Sequence, residues 1–228
     1  MSSRACPAVI FHFNAVLFNW VLAIGCLTML NRRWFLGAIA ALAMGAPAYA
    51  DTPDPAVRQI ETFYAGLVDT MKAGVGIEAR YKKLKPVVEG VFNLPAMTQF
   101  AVGPSWDKMS DADRKSLIDA FERMTVANYA KNFARFGGEQ FTVDPKTMDR
   151  GPDRIVQSTL KPGSGAPVQF TYRMRQADGT WKVIDIFLAG FASELALRRS
   201  EFAHTVETEG AAGLLKKINV VSDGLMKS

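Results

Sequence analysis

Few residues in this chain could do proton, nucleophile or metal chemistry once its first 50 residues are set aside. One histidine then remains, His204, in a stretch of helical pattern, where it is either a general base or a partly exposed helical residue. No Gly-x-Ser-x-Gly elbow, phosphate-cradling glycine loop, His-Glu-x-x-His pair or cysteine cluster occurs there. These absences weigh against hydrolase, kinase and metalloenzyme readings together, and no metal or cofactor is expected. Asp185 stands out, inside Trp181-Lys182-Val183-Ile184-Asp185-Ile186-Phe187-Leu188, a run otherwise apolar on both faces. A carboxylate buried there without a partner has a raised pKa and can act as a base, close to Tyr172 or Tyr129. Hydrogen-bonded to an Arg, a Tyr or a backbone amide, it orders the sheet instead.

The elements that must position these residues follow from periodicity. Asp51-Thr52-Pro53-Asp54-Pro55 is turn-rich, and Pro55 suits the first position of a helix. Ile60, Phe63, Tyr64, Leu67, Val68 and Met71 recur at helical spacing up to Gly74. A second helix is expected over residues 77–91, with Pro86 as a kink or break. A short one is expected over 94–102, ended by Gly103-Pro104. Ser110 with Asp113 makes a capping-box-like start for a long helix carrying Ile118, Phe121, Thr125, Tyr129, Phe133 and Phe136. Leu117 and Met124 widen this stripe, and Gly137-Gly138 is expected to stop the helix.

The period then changes to two, predicting strands over 140–143, 154–160, 168–175 and 180–188, with turns at Pro162-Gly163-Ser164-Gly165 and Ala177-Asp178-Gly179. Val168, Phe170, Tyr172 and Met174 face one way, and Gln169, Thr171, Arg173 and Arg175 the other. Residues 193–207 and 211–220 return to helix. Helices, an antiparallel meander, then helices again describe an α+β domain with helices packed on one face of the sheet. The long helix (Phe121, Met124, Tyr129, Phe133) and the sheet (Val168, Phe170, Tyr172, Met174, with Phe187) can close over each other. Phe92, Leu94, Phe100 and Trp106 then stand at a rim. Such a set either fills a core or lines an apolar cavity, and spacing alone does not separate the two.

The chain divides into an upstream apolar extension (1–28), a signal peptide (29–50) and one domain (51–228). From Met29, Asn31-Arg32-Arg33 supplies the positive start, residues 34–44 a short apolar core, and Ala48-Tyr49-Ala50 the cleavage site before Asp51. Asn31-Arg32-Arg33-Trp34-Phe35-Leu36 also resembles a twin-arginine signal, so export runs by that route or the general one. The apolar stretch at residues 8–30 is long enough for an anchor, unless translation starts at Met29. Both cysteines, Cys6 and Cys26, leave with the signal, so the mature chain has neither disulfide nor thiol chemistry. Arg4, Arg32 and Arg33 leave too, and 24 of the 27 basic residues remain against 22 acidic ones. That balance removes the electrostatic basis for binding nucleic acid. The residues left, with no internal repeat among them, suffice for one domain that needs no covalent staples.

Five segments in order carry a family resemblance. They are Leu94-Pro95-Ala96-Met97-Thr98-Gln99-Phe100-Ala101-Val102-Gly103 with Trp106, then Asn128-Tyr129-Ala130-Lys131-Asn132-Phe133, and Pro167-Val168-Gln169-Phe170-Thr171-Tyr172. Trp181-Lys182-Val183-Ile184-Asp185-Ile186 follows, and Arg198-Arg199-Ser200-Glu201-Phe202 precedes a Gly-x-x-x-Leu-Leu helix over 210–215. Together these resemble the MlaC, or toluene-tolerance (Ttg2), family over residues 54–220. Ser193-Glu194-Leu195-Ala196, ahead of Arg198-Arg199-Ser200-Glu201-Phe202, departs from the family's usual pattern and is more similar to its hopanoid-associated branch, HpnM.

The resemblance implies a nuclear-transport-factor-like curved antiparallel sheet whose helices enclose an apolar cavity. It implies a periplasmic, non-enzymatic lipid shuttle carrying phospholipid or hopanoid. The implied partners are an inner-membrane ABC-type transporter complex and an outer-membrane partner. Hiding two tails of about 30 methylenes offsets roughly 24 kcal/mol of hydration cost, at about 0.8 kcal/mol per methylene. Such work calls for a pocket and no catalytic group. Two other readings stay open: a cavity enzyme of the same fold using Asp185 as base, and an adaptor presenting Arg198 and Arg199. That basic pair contacts a headgroup or partner, or forms a solvated helix face.

Overall fold

In the computed structural model, which describes residues 53–189 and 192–227, the first helix starts where its capping residues demand. α1 (Pro55–Lys72) has Pro55 in its first turn and Asp54 as N-cap. The Asp54 carboxylate accepts from the Ala56 amide at 2.8 Å and from Arg154 at 2.6 Å, which fastens the helix start to the sheet. The signal peptide, the upstream extension and both cysteines lie outside the described residues.

α2 (Ile77–Val91) runs straight through Pro86. The backbone bond lost there is offset by Leu84 and Val88, both fully buried on either side of it. α3 (Leu94–Val102) is capped by Asn93, whose side chain accepts from the Ala96 amide at 3.1 Å, and passes into a 3-10 turn over Gly103–Lys108. α4 (Asp111–Asn132) begins at the expected box. The Asp113 amide donates to the Ser110 hydroxyl, which in turn donates to the Asp113 carboxylate at 2.7 Å.

Four antiparallel strands follow, β1 (Gln140–Arg150), β2 (Asp153–Lys161), β3 (Val168–Ala177) and β4 (Thr180–Leu188). With the two-residue β5 (Ala192–Ser193) they form one open sheet in sequence order. α5 (Glu194–Met226) closes the chain. α1 lies on the sheet, while α4 is held among α5, α2 and α3. The core between the layers is Ile60, Phe63 and Leu67 from α1, Leu84 and Val88 from α2, and Val156, Met174 and Val183 from the sheet. The architecture is the expected α+β class.

Three element limits differ from the periodic reading. α4 stops at Asn132, before Phe136 and the Gly137-Gly138 pair. The Arg80 Nε donates to the Ala130 carbonyl at 2.7 Å, satisfying a last-turn acceptor. Phe133 leaves the helix to lie 6.2 Å from the Phe141 ring. β1 extends to Arg150 because its register slips between Val143 and Thr147, inserting Asp144-Pro145-Lys146 as an irregularity.

The last helix runs to Met226, and its two expected halves meet at Gly210, with φ 66° and ψ −160°. Only glycine adopts that conformation readily. Gly210→Ala is therefore expected to destabilise the protein by about 1–3 kcal/mol, read by urea unfolding. An unchanged midpoint would show that the break is not required.

Candidate functional site

The strand register decides which side chains share a face. Ser158 stands opposite Phe170, and Val156 opposite Tyr172, which in turn stands opposite Ile186. These side chains point to the helical side of the sheet, because Tyr172 and Ser158 both bond to Tyr64 of α1. Where β1 slips past β2, a concavity of about 420 Å³ opens against β2 and β3. It is lined by sheet residues alone, Thr142, Asp144, Gln157, Thr159, Gln169 and Thr171 together with Val143, Pro145, Ser158 and Phe170. Because Gln157, Thr159, Gln169 and Thr171 alternate with Ser158 and Phe170, it opens on the face turned away from the helices. The volume falls in the range of about 300–1,000 Å³ usual for ligand sites.

A chain of aromatic rings lies on the opposite, helical side of the sheet. Phe170 stacks on Tyr172 at 6.3 Å, Tyr172 meets Tyr64 edge-on at 6.2 Å, and Tyr64 stacks on Phe141 at 4.3 Å. Phe141 continues to Phe133, Phe133 to Tyr129, and Tyr129 to Phe63 and Phe92. Tyr129, Phe133, Phe141 and Phe170 are only half-buried. They form the accessible edge of an otherwise closed aromatic cluster, an apolar surface suited to hydrocarbon.

Hydroxyls and one carboxyl punctuate this surface. The Tyr64 hydroxyl lies 2.5 Å from Ser158 Oγ and 2.8 Å from the Tyr172 hydroxyl. Burial raises the Tyr64 pKa and lifts that of Tyr172 well above the ordinary value, so both stay neutral. Tyr129 is pushed far up too, first by burial and then by the nearby Tyr64 and Glu194. Burial is also the main cause of a raised Glu194 pKa, with Glu201 and Asp185 adding to it and Arg198 opposing.

A carboxyl whose folded pKa is raised costs stability where it is charged, and the cost fades as pH falls toward the ordinary value of 4.5. Glu194→Gln is therefore expected to raise the melting temperature at pH 8 and to leave it unchanged near pH 4. An equal shift at both values would contradict the assignment.

Of the residues expected from sequence, Tyr129, Phe133, Phe170 and Tyr172 come together in this cluster. Phe92, Leu94, Trp106 and Met174 are buried in the main core. Phe121 and Met124 are buried on α4, with Phe121 6.5 Å from Phe202 of α5. Val168 and Phe187 are half-buried. Phe187 pairs with Thr171, and so lies on the sheet face opposite Phe170 and Tyr172. Phe100 is 44% exposed, with the Arg199 guanidinium 5.3 Å from its ring, while Arg198 pairs with Glu201 at 2.7 Å.

Phe63, Tyr64, Phe141, Val143 and Ser158 are site residues that sequence reasoning does not single out. Ser158 does carry a signal, as the polar residue on the inward side of the Val156-Ser158-Leu160 alternation.

Asp185 is a bracket rather than a free base. Its carboxylate accepts from the Ser193 hydroxyl at 2.7 Å, the Ile186 amide at 2.8 Å and the Leu195 amide at 3.3 Å. In register it faces Arg173 and therefore points away from Tyr172, whose partner is Ile186. Of the two readings of Asp185, the geometry matches the sheet-ordering one, and neither Tyr172 nor Tyr129 bonds to its carboxylate. His204 is exposed on α5. Among the described residues, no group of three or more His, Cys, Asp or Glu could hold a metal ion. No helix among them is long and apolar enough to cross a membrane.

A search of curated proteins finds no match to the chain. Among solved structures, the phospholipid-binding protein from Ralstonia solanacearum, in complex with a phospholipid, is similar at a TM-score of 0.65 and 21% identity. The match covers 75% of this chain and 98% of that one, and at this identity it is a likeness of fold. The family model described as MlaC protein matches residues 61–220, from within α1 into the second half of α5. With the ordered motifs, this match establishes that the chain belongs to the MlaC family.

Proposed function

We propose that this protein is a periplasmic lipid-binding shuttle, exported with cleavage after Ala50, that carries phospholipid or hopanoid as the soluble component of an ABC-type transport system. The observation carrying this reading is the half-buried aromatic edge of Tyr129, Phe133, Phe141 and Phe170 against the core. Family membership and the phospholipid held by the Ralstonia protein of shared fold support it. In this reading an inner-membrane transporter complex and an outer-membrane partner load and unload the carrier. Arg199, with the exposed Phe100 beneath it, and Arg198 are the side chains we assign to headgroup or partner contact.

Native mass spectrometry of protein purified without detergent tests the reading. A bound mass that leaves on denaturation as phospholipid or hopanoid is expected. A protein that carries no lipid and takes none from vesicles overturns it.

A further inference from the structure

The last helix doubles back on itself. The Lys217 ammonium donates to the Glu201 carbonyl at 2.7 Å and to the Thr205 hydroxyl at 3.0 Å. An unbroken helix would hold Lys217 about 24 Å from Glu201. The chain therefore turns sharply at Gly210, and the two halves of α5 lie side by side. One turn further from Gly210 on each half, on the side of this contact, stand Leu197 on the first and Val220 and Val221 on the second. They are 44%, 63% and 42% exposed, and they gather at the open end of one helical hairpin.

Cations stand around them. Lys216 lies one turn before Val220 and Lys227 two turns after it, while Lys217 precedes Val221 by one turn. None of these lysines has a carboxylate within ion-pair distance among the described residues. Glu201 is already matched by Arg198 at 2.7 Å, and Asp223 by Arg123 of α4 at 2.6 Å. The second of these pairs holds the surface in place against α4.

Aliphatic side chains with no aromatic anchor among them, ringed by flexible lysines, suit a surface that is apolar and anionic but has no fixed shape. Protein interfaces draw on Trp, Tyr and Arg and are depleted in Lys. A bilayer interface takes up shallow apolar side chains, and its anionic headgroups attract each lysine nearby.

We propose that the open end of the α5 hairpin is a membrane-contact surface for an anionic bilayer. Leu197, Val220 and Val221 enter the interface, and Lys216, Lys217 and Lys227 meet its headgroup phosphates. This docking goes beyond the carrier reading and does not depend on which lipid is carried.

The test uses protein purified from cells expressing the full chain. It is mixed with vesicles of phosphatidylcholine, alone or with an equal part of phosphatidylglycerol, and the protein that sediments with them is measured. Measuring protein rather than lipid separates docking from cargo uptake, because a loaded carrier stays in the supernatant. About tenfold or more binding to the anionic vesicles over the neutral ones is expected. It should be lost near 1 M salt, where the screening length falls to about 3 Å. Lys216→Gln with Lys227→Gln is expected to weaken it about thirtyfold, at about fivefold for each lysine. Val220→Ser with Val221→Ser is expected to weaken it at every salt concentration. All four residues are exposed, so the melting temperature should not change in either pair. Binding to neither kind of vesicle, or equal binding to both, overturns the inference and leaves the carrier reading intact. Binding unchanged in the folded lysine pair overturns it equally.

Discussion

Asp185→Ala is expected to lower the stability of the protein by about 3–5 kcal/mol, near the top of the range for single substitutions. Three donors converge on that carboxylate, from Ser193, Ile186 and Leu195, and the Leu195 amide is buried. Each donor stranded without an acceptor costs about 1–3 kcal/mol. Two of the three lie where β4 hands over to β5 and α5, so the loss falls on a junction rather than on one side chain.

Asp185→Asn keeps one carbonyl oxygen for the two amides and turns the Ser193 contact around, and is expected to cost about 1 kcal/mol. Urea unfolding of both variants, with lipid content measured on the folded Asn protein, separates a bracket from a base. An Ala variant as stable as the unaltered protein would sink the bracket. An Asn variant that folds and keeps its lipid is what a carrier predicts.

Phe170→Glu is expected to empty the carrier without unfolding it. Phe170 is half-buried on β3 and stacks on Tyr172 at the open edge of the aromatic cluster. Removing its ring forfeits part of the roughly 1.5–3 kcal/mol that burying such a side chain against a ligand contributes. A carboxylate in its place must also be desolvated beside hydrocarbon. At about 1.4 kcal/mol per factor of ten, co-purified lipid should fall by at least tenfold and by up to about a hundredfold. The melting temperature should fall by only a few degrees, because Phe170 packs against the main core of Ile60, Phe63, Leu67, Leu84 and Val88 from its half-buried edge. Lipid retained at the level of the unaltered protein would show that the cargo does not pass over Phe170, and would move the site elsewhere on the fold.

Helices and strands with strong local signals are legible in the amino-acid sequence itself. Residues 77–91, 94–102 and 180–188 match the observed limits of α2, α3 and β4. Gly76 before α2, Asn93 before α3 and the Asp178-Gly179 turn mark their boundaries with nearby residues. Where a distant partner competes, local signals lose. Phe133 continues the helical stripe in sequence but leaves the helix to meet Phe141, and Arg80, from 50 residues upstream, caps the carbonyl at Ala130. The β1 slip is marked locally by Asp144-Pro145-Lys146, which ends the alternation at Val143, but that the strand resumes at Thr147 is defined only against β2.

The candidate site shows the same division. Aromatic and aliphatic residues at helical and alternating spacing can be counted from the sequence, and so can the lack of a catalytic constellation. Together with the ordered family motifs, these determined the α+β class and pointed to a binding protein. Which rings bury into the core, as Phe92 and Phe121 do, and which keep an open edge, as Tyr129, Phe133 and Phe170 do, was decided only by tertiary structure. Spacing along a chain tells a side chain's direction relative to its own element, whereas exposure depends on what other elements place in front of it. Asp185 is the sharpest case: its sequence neighbours left both base and bracket open, and strand register together with the start of α5 made it a bracket.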